Sequence, residues 1–109
     1  MNNEKLNTAL YQTMEREQDK YRKWLVQCPP EEILSHAYEY AVCEDILMAM
    51  EELNLPDDQA MALLKQRGPL DDVFKDFIKL ETDYMETVRG AIELCAERKA
   101  AKEQNREVR

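Results

Sequence analysis

The sequence predicts an all-α protein, a compact bundle of three long helices and one short helix. Three observations carry this. The composition favours helix: 12 Leu, 10 Ala, 6 Met and 15 Glu stand against 5 Val, 4 Ile and 4 Thr. The first set is rich in strong helix formers and the second prefers the pleated surface of a sheet. Only 2 Gly and 4 Pro occur in 109 residues, too few turn residues for a sandwich, a barrel or a series of hairpins. Finally, four segments place apolar residues three or four apart, and the only strong breakers fall between them. A chain of this length hides roughly 60–70% of its extended surface on folding, enough for one modest core.

The first helix is expected from about Glu4 to Gln27. Leu6, Leu10, Met14, Tyr21, Trp24, Leu25 and Cys28 trace its apolar stripe, with Thr13, Glu17 and Gln18 filling the gaps. On its solvated face Arg16, Asp19 and Lys23 compensate one another at helical spacing, against a Glu15 to Asp19 clash. Pro29 and Pro30 end it, because the residue before a proline is pushed out of the α region. Pro30 then suits the first turn of the second helix, and Glu31 and Glu32 suit the positive end of its dipole. That helix runs to about Leu53. Its broad apolar arc, from Ile33 through Ala37, Val42 and Leu47 to Met50, predicts a central position with several neighbours.

Asn54 and Pro56 punctuate, and DDQAMALLKQ forms the short helix, with Ala60, Met61, Leu63 and Leu64 on its buried side. Gly68 is expected as a left-handed C-cap and Pro69 as a stop. From Leu70 through Val73, Phe74, Phe77, Leu80, Tyr84, Val88 and Ile92 to Cys95, steps of three or four almost throughout predict one long bundle helix. Gly90 inside it suggests a close helix approach or a slight bend. These helices make a single helical domain, 1–96. The charged tail, 97–109, lacks an apolar stripe and is expected to be frayed helix or disorder.

The formal charge of −8 is unevenly spread. Residues 1–28 carry a net +1, residues 29–96 a net −11 and residues 97–109 a net +2. An acidic body repels phosphate, so no direct nucleic-acid binding is expected, and a protein partner with a basic surface is the better match. No stretch approaches the roughly 20 apolar residues of a membrane span, and the amino terminus lacks a basic segment followed by an apolar one. A cytoplasmic protein is expected, with no membrane association. Cys28, Cys43 and Cys95 are too widely spaced for a metal half-site, and at least two of them are expected in the core as small apolar residues.

Catalytic templates find little purchase. His36 is the only histidine, which removes HExxH zinc sites and paired ExxH di-iron sites. Cys43 lies seven residues beyond His36, about 10 Å along one helix, too far for a Cys-His pair. With Gly68 and Gly90 as the only glycines, no phosphate-cradling loop can form. The segment from Asn54 to Lys79 has a helix-turn-helix outline, but Asp71, Asp72 and Asp76 would meet phosphate with the wrong sign. No enzyme activity, cofactor or metal is expected. An enzyme would need His36 and a thiol to converge in a pocket.

The block PPEEILSHAYEYAVCEDILMAMEELNL, followed by QAMALLKQRGPLDDVFKDFIKLETDYMETVR, resembles a family of small helical proteins of unknown function encoded in anaerobic gut bacteria, often within integrative elements or phage-like regions. The likeness spans roughly residues 5–95, with EDILMAMEE and PLDDVFKDF its most characteristic stretches. It implies no activity, cofactor or functional residue. It does imply a setting on mobile DNA, where small acidic proteins sometimes inhibit host nucleases or defence proteins.

The expected function is therefore a non-enzymatic protein-interaction module or small regulator that docks an acidic helical face on a basic partner. The carboxylates of that face are Glu44, Asp45, Glu51, Glu52, Asp57, Asp58, Asp71, Asp72 and Asp76, with Met48, Met50 or Tyr84 as apolar anchors. The alternative is an inhibitor that imitates nucleic acid with rows of carboxylates. Plain solvation of the acids is the ordinary explanation that either must beat. The stripe from Leu70 to Cys95 could also close a homodimer.

Overall fold

A computed structural model describes residues 2–80 and 83–107. Five helices follow in order: α1 (Asn3–Leu25), α2 (Pro30–Glu52), α3 (Asp57–Leu64), α4 (Pro69–Leu80) and α5 (Tyr84–Glu107). No strand occurs among the described residues. The chain divides into two compact units, Met1–Phe77 and Ile78–Arg109.

In the first unit α1, not α2, is the central helix, packing on both α2 and α3. Asn2 starts α1 as an N-cap, its side chain accepting the Glu4 N–H at 2.9 Å. Leu6, Leu10 and Met14 descend one face in steps of four and join Cys43, Leu47 and Met50 of α2, Ala60 of α3 and Leu70 of α4 in the core. The next step of four is Gln18, a polar residue only 4% exposed. The broad arc of α2 is covered on one side only. Val42, Cys43, Leu47 and Met50 are buried, but Leu34 and Met48 are 75% and 64% exposed. The turn into α2 follows the sequence: Pro29 is extended, Pro30 opens the helix, and Glu31 and Glu32 occupy its first turn.

Gly68 differs from expectation, because no residue has a positive φ among those described. It does not cap α3. Its carbonyl accepts the Asp72 N–H at 2.9 Å, which places it just before α4, with the fully buried Pro69 at the first helical position. A side chain there would bring its Cβ within 3.1 Å of the Glu17 carboxylate.

The expected single helix from Leu70 to Cys95 is two helices. α4 ends at Leu80, and α5 begins with the Asp83 carbonyl accepting the Thr87 N–H at 2.9 Å. Asp83 and Glu86 have the spacing of a capping box, a start signal inside the apolar stripe. Five helices, three long and two short, thus replace the expected four. In the second unit α5 continues through residues 97–107, where frayed helix or disorder was expected, and Val108 and Arg109 lie outside the described residues. A Cβ at Gly90 would meet nothing within 4 Å, so no close helix approach explains that glycine. No helix of the described residues is long and apolar enough to cross a membrane.

Candidate functional site

Two concavities flank the α1–α2 seam, and Gln18 lines both. One is a groove of 270 Å³. Helical spacing sets Glu15 and Asp19 four apart along its α1 wall, and Glu44 and Glu51 seven apart along its α2 wall. Arg22 is the cation lining it, and Met48 supplies an exposed apolar edge. Tyr11 donates to Glu51 Oε1 at 3.1 Å across the seam. Those carboxylates push both groove tyrosines up: Tyr11 mainly through its bond to Glu51, and Tyr40 through burial and then Glu44.

The other concavity is a pocket of 210 Å³ where α1, α2 and the start of α4 meet. Glu17 reaches from α1 to cap α4, its Oε1 accepting the Leu70 N–H at 2.9 Å and its Oε2 the Asp71 N–H at 3.0 Å. This carboxylate satisfies two orphan donors and suits the positive helix end. Across the pocket the Tyr21 hydroxyl donates to Glu39 Oε2 at 2.7 Å, and burial followed by Glu39 holds that phenol well above its ordinary range. Cys43 lies at the same place. Burial first, then Glu39, Glu17 and Asp71, push its thiol up to about 12, so it stays protonated near neutral pH and is a poor nucleophile.

His36 lines neither concavity. Its ring meets Trp24 edge-on at 5.4 Å, and its Nδ1 lies 3.6 Å from Glu39 Oε2. Trp24, expected on the buried stripe, is 48% exposed and stacks on Tyr21 at 5.9 Å. Of the three cysteines only Cys43 is buried. Cys28 is intermediate and Cys95 exposed, so the expectation of two core cysteines fails. Among the described residues no group of three or more His, Cys, Asp and Glu could hold a metal ion.

The nine carboxylates singled out in the sequence are placed as follows. Glu44 and Glu51 enter the groove, and Asp71 enters the pocket, paired with Lys75 at 2.9 Å. Asp57 accepts from the Asn3 side chain at 2.6 Å, while Asp45, Glu52, Asp58, Asp72 and Asp76 line neither concavity. Of the suggested anchors, Met48 and Tyr84 are exposed, but Met50 belongs to the core. Sequence reasoning missed Glu15, Asp19, Glu17 and Glu39. The first two face Glu44 and Glu51 across the seam, a pairing that helix periodicity cannot show. Gln18 had a visible signal, since it continues the Leu6, Leu10, Met14 register.

A family model covers residues 6–100, most of both units, under the description Protein of unknown function (DUF3848). The chain belongs to this family. No curated protein and no solved structure matches the chain. The DUF3848 match takes in every residue of the groove and the pocket.

Proposed function

We propose that this DUF3848 protein is a non-enzymatic interaction module whose α1–α2 groove docks a basic segment of a partner protein in the cytoplasm. The observation that carries this is the groove itself: four carboxylates on two walls around one guanidinium, beside the exposed Met48. Opposed charges steer the encounter and fix register, while the apolar edge supplies an anchor. Asp45 and Glu52, on the same helix but outside the groove, serve to solvate it. The mobile-element setting implied by the resemblance suits a small protein that binds a host component.

The test is capture of a partner from the organism that encodes the chain, followed by titration of the purified pair over a salt series. Glu15→Lys with Asp19→Lys should abolish binding, and Asp45→Lys with Glu52→Lys should leave it intact. Affinity should fall as salt rises, because exposed charges are screened. Binding that survives reversal of Glu15 and Asp19 would overturn the groove as the docking site.

The paired rows, Glu15 with Asp19 and Glu44 with Glu51, favour one second reading, a nucleic-acid mimic that inhibits a nuclease or defence protein. Competition separates the two. DNA should displace the captured partner from a mimic and leave an ordinary docked complex intact.

A further inference from the structure

One face of α5 is built in two halves. Val88, Ile92 and Cys95 follow one another at steps of four and three, and with Ala91 and Ala96 they line a shallow apolar surface. Ile92 is 64% exposed and Cys95 is exposed. Arg98, Lys99 and Lys102 then stand three, four and seven residues beyond Cys95. At 3.6 residues per turn those steps continue the same line, so the apolar half runs directly into a basic half. All three cations are exposed. Glu86, Glu93 and Glu97 fall about half a turn away around the helix, and Glu103 sits at the margin of the face.

This arrangement selects among occupants. A helix that lies on a membrane surface carries its apolar and basic residues on opposite faces, whereas here they share one. Parallel pairing of α5 with its own copy would set Arg98, Lys99 and Lys102 against like charges. The matching surface is acidic with an apolar edge, and the chain itself carries one. The α1–α2 groove holds Glu15, Asp19, Glu44 and Glu51 beside the 64% exposed Met48. The spacing agrees as well as the sign. Arg98 and Lys102 are four residues apart, about 6 Å along a helix axis, and so are Glu15 and Asp19. Asp19 is held only by an exposed pair with Lys23 at 3.1 Å, a contact weak enough to be exchanged.

We propose that the chain forms a two-fold homodimer in which α5 of each copy docks in the α1–α2 groove of the other. Arg98 and Lys102 meet Glu15 and Asp19, and Ile92 and Cys95 lie toward Met48. The inference rests on the groove as a docking site and names an occupant for it. Reciprocal docking uses one contact twice, as a self-complementary two-fold interface requires. A basic segment of another protein then binds by displacing α5, so self-association and partner capture compete for the same carboxylates.

The experiment measures the mass of the full chain by light scattering at micromolar concentration. The expected mass is about twice the 12.9 kDa of one chain, and it should fall toward one chain at about 1 M salt, where the screening length is only ~3 Å. Glu15→Lys with Asp19→Lys, and separately Arg98→Glu with Lys102→Glu, should each give a monomer. All four positions are exposed, so circular dichroism should show unchanged helicity. Mixing the two variants should restore the dimer, because every α5–groove contact in the mixed pair again joins opposite charges. Arg98→Gln with Lys102→Gln, which keeps helix propensity, should weaken the dimer about tenfold through loss of its exposed ion pairs, and it decides the matter if charge reversal disturbs α5. A monomeric unaltered chain, a dimer that survives either reversal, or failure of the folded variants to associate on mixing would overturn the proposal. Partner capture that depends on Glu15 and Asp19 in a monomeric chain would remove this inference and keep the groove as a docking site.

Discussion

Asn7 and Glu17 of α1 each hold backbone that lies about fifty residues away in sequence. Asn7 clamps the α2–α3 connection from both sides, accepting the Leu55 N–H at 2.9 Å and donating to the Leu55 carbonyl at 3.0 Å. Glu17 does the same service for the start of α4. Neither role can be read from local pattern, since a polar residue on a helix looks solvated until its distant partner is placed. Removing a partner leaves part-buried backbone groups unpaired. Asn7→Ala should therefore lower stability by about 1–2 kcal/mol, and a loss under about 0.5 kcal/mol in urea unfolding would show that water replaces the clamp. Gln18 is the opposite case, legible by register as buried and surprising only in chemistry. An unpaired buried acceptor costs about 1–3 kcal/mol, a penalty that the two hydrogen bonds of its Nε2 offset in part.

The helices show which local signals survive assembly. The double proline before α2, the acidic first turns of α2 and α3 and the stripe of α1 all act within one or two turns, and each appears where the sequence puts it. The stripe from Leu70 to Cys95 misled because periodicity alone does not register an internal cap. Asp83 and Glu86 restart the helix without breaking the spacing of apolar residues. Within α5, Gly90 has open space around it, so Gly90→Ala removes a helix-weakening residue at no steric cost. It should stabilise α5 locally by about 1 kcal/mol, seen as slower amide exchange across Tyr84–Glu103. Unchanged exchange there would mean that α5 helicity is set by something other than its own propensity.

At the scale of the molecule, the described core belongs to the first unit. Its buried side chains come from α1 to α4, whereas among the described side chains of α5 only Val88 is as much as half-buried. Tyr84, Met85, Ile92 and Leu94 are each more than half exposed. A chain ending at Leu80 retains every side chain of this core and should keep the helicity of α1–α4 and unfold cooperatively. Loss of cooperative thermal unfolding in that truncation would show that α5 contributes to the fold. The charge also takes spatial form here. Of the acidic body only Glu39, Glu44, Glu51 and Asp71 line the two concavities beside the seam, where Glu15, Glu17 and Asp19 of α1 join them.

The sequence by itself determined that the chain is helical, where most helices begin and end, and that Leu6, Leu10 and Met14 give α1 an apolar face. Those properties depend on caps, prolines and 3.6-residue periodicity, which act over a turn or two. Tertiary structure alone decided that α1 is central, that Glu15 and Asp19 face Glu44 and Glu51, and that Glu17 caps α4 beside Cys43 and Gln18. Each depends on the approach of helices distant in sequence, where the rotation of one helix against another selects which side chains meet.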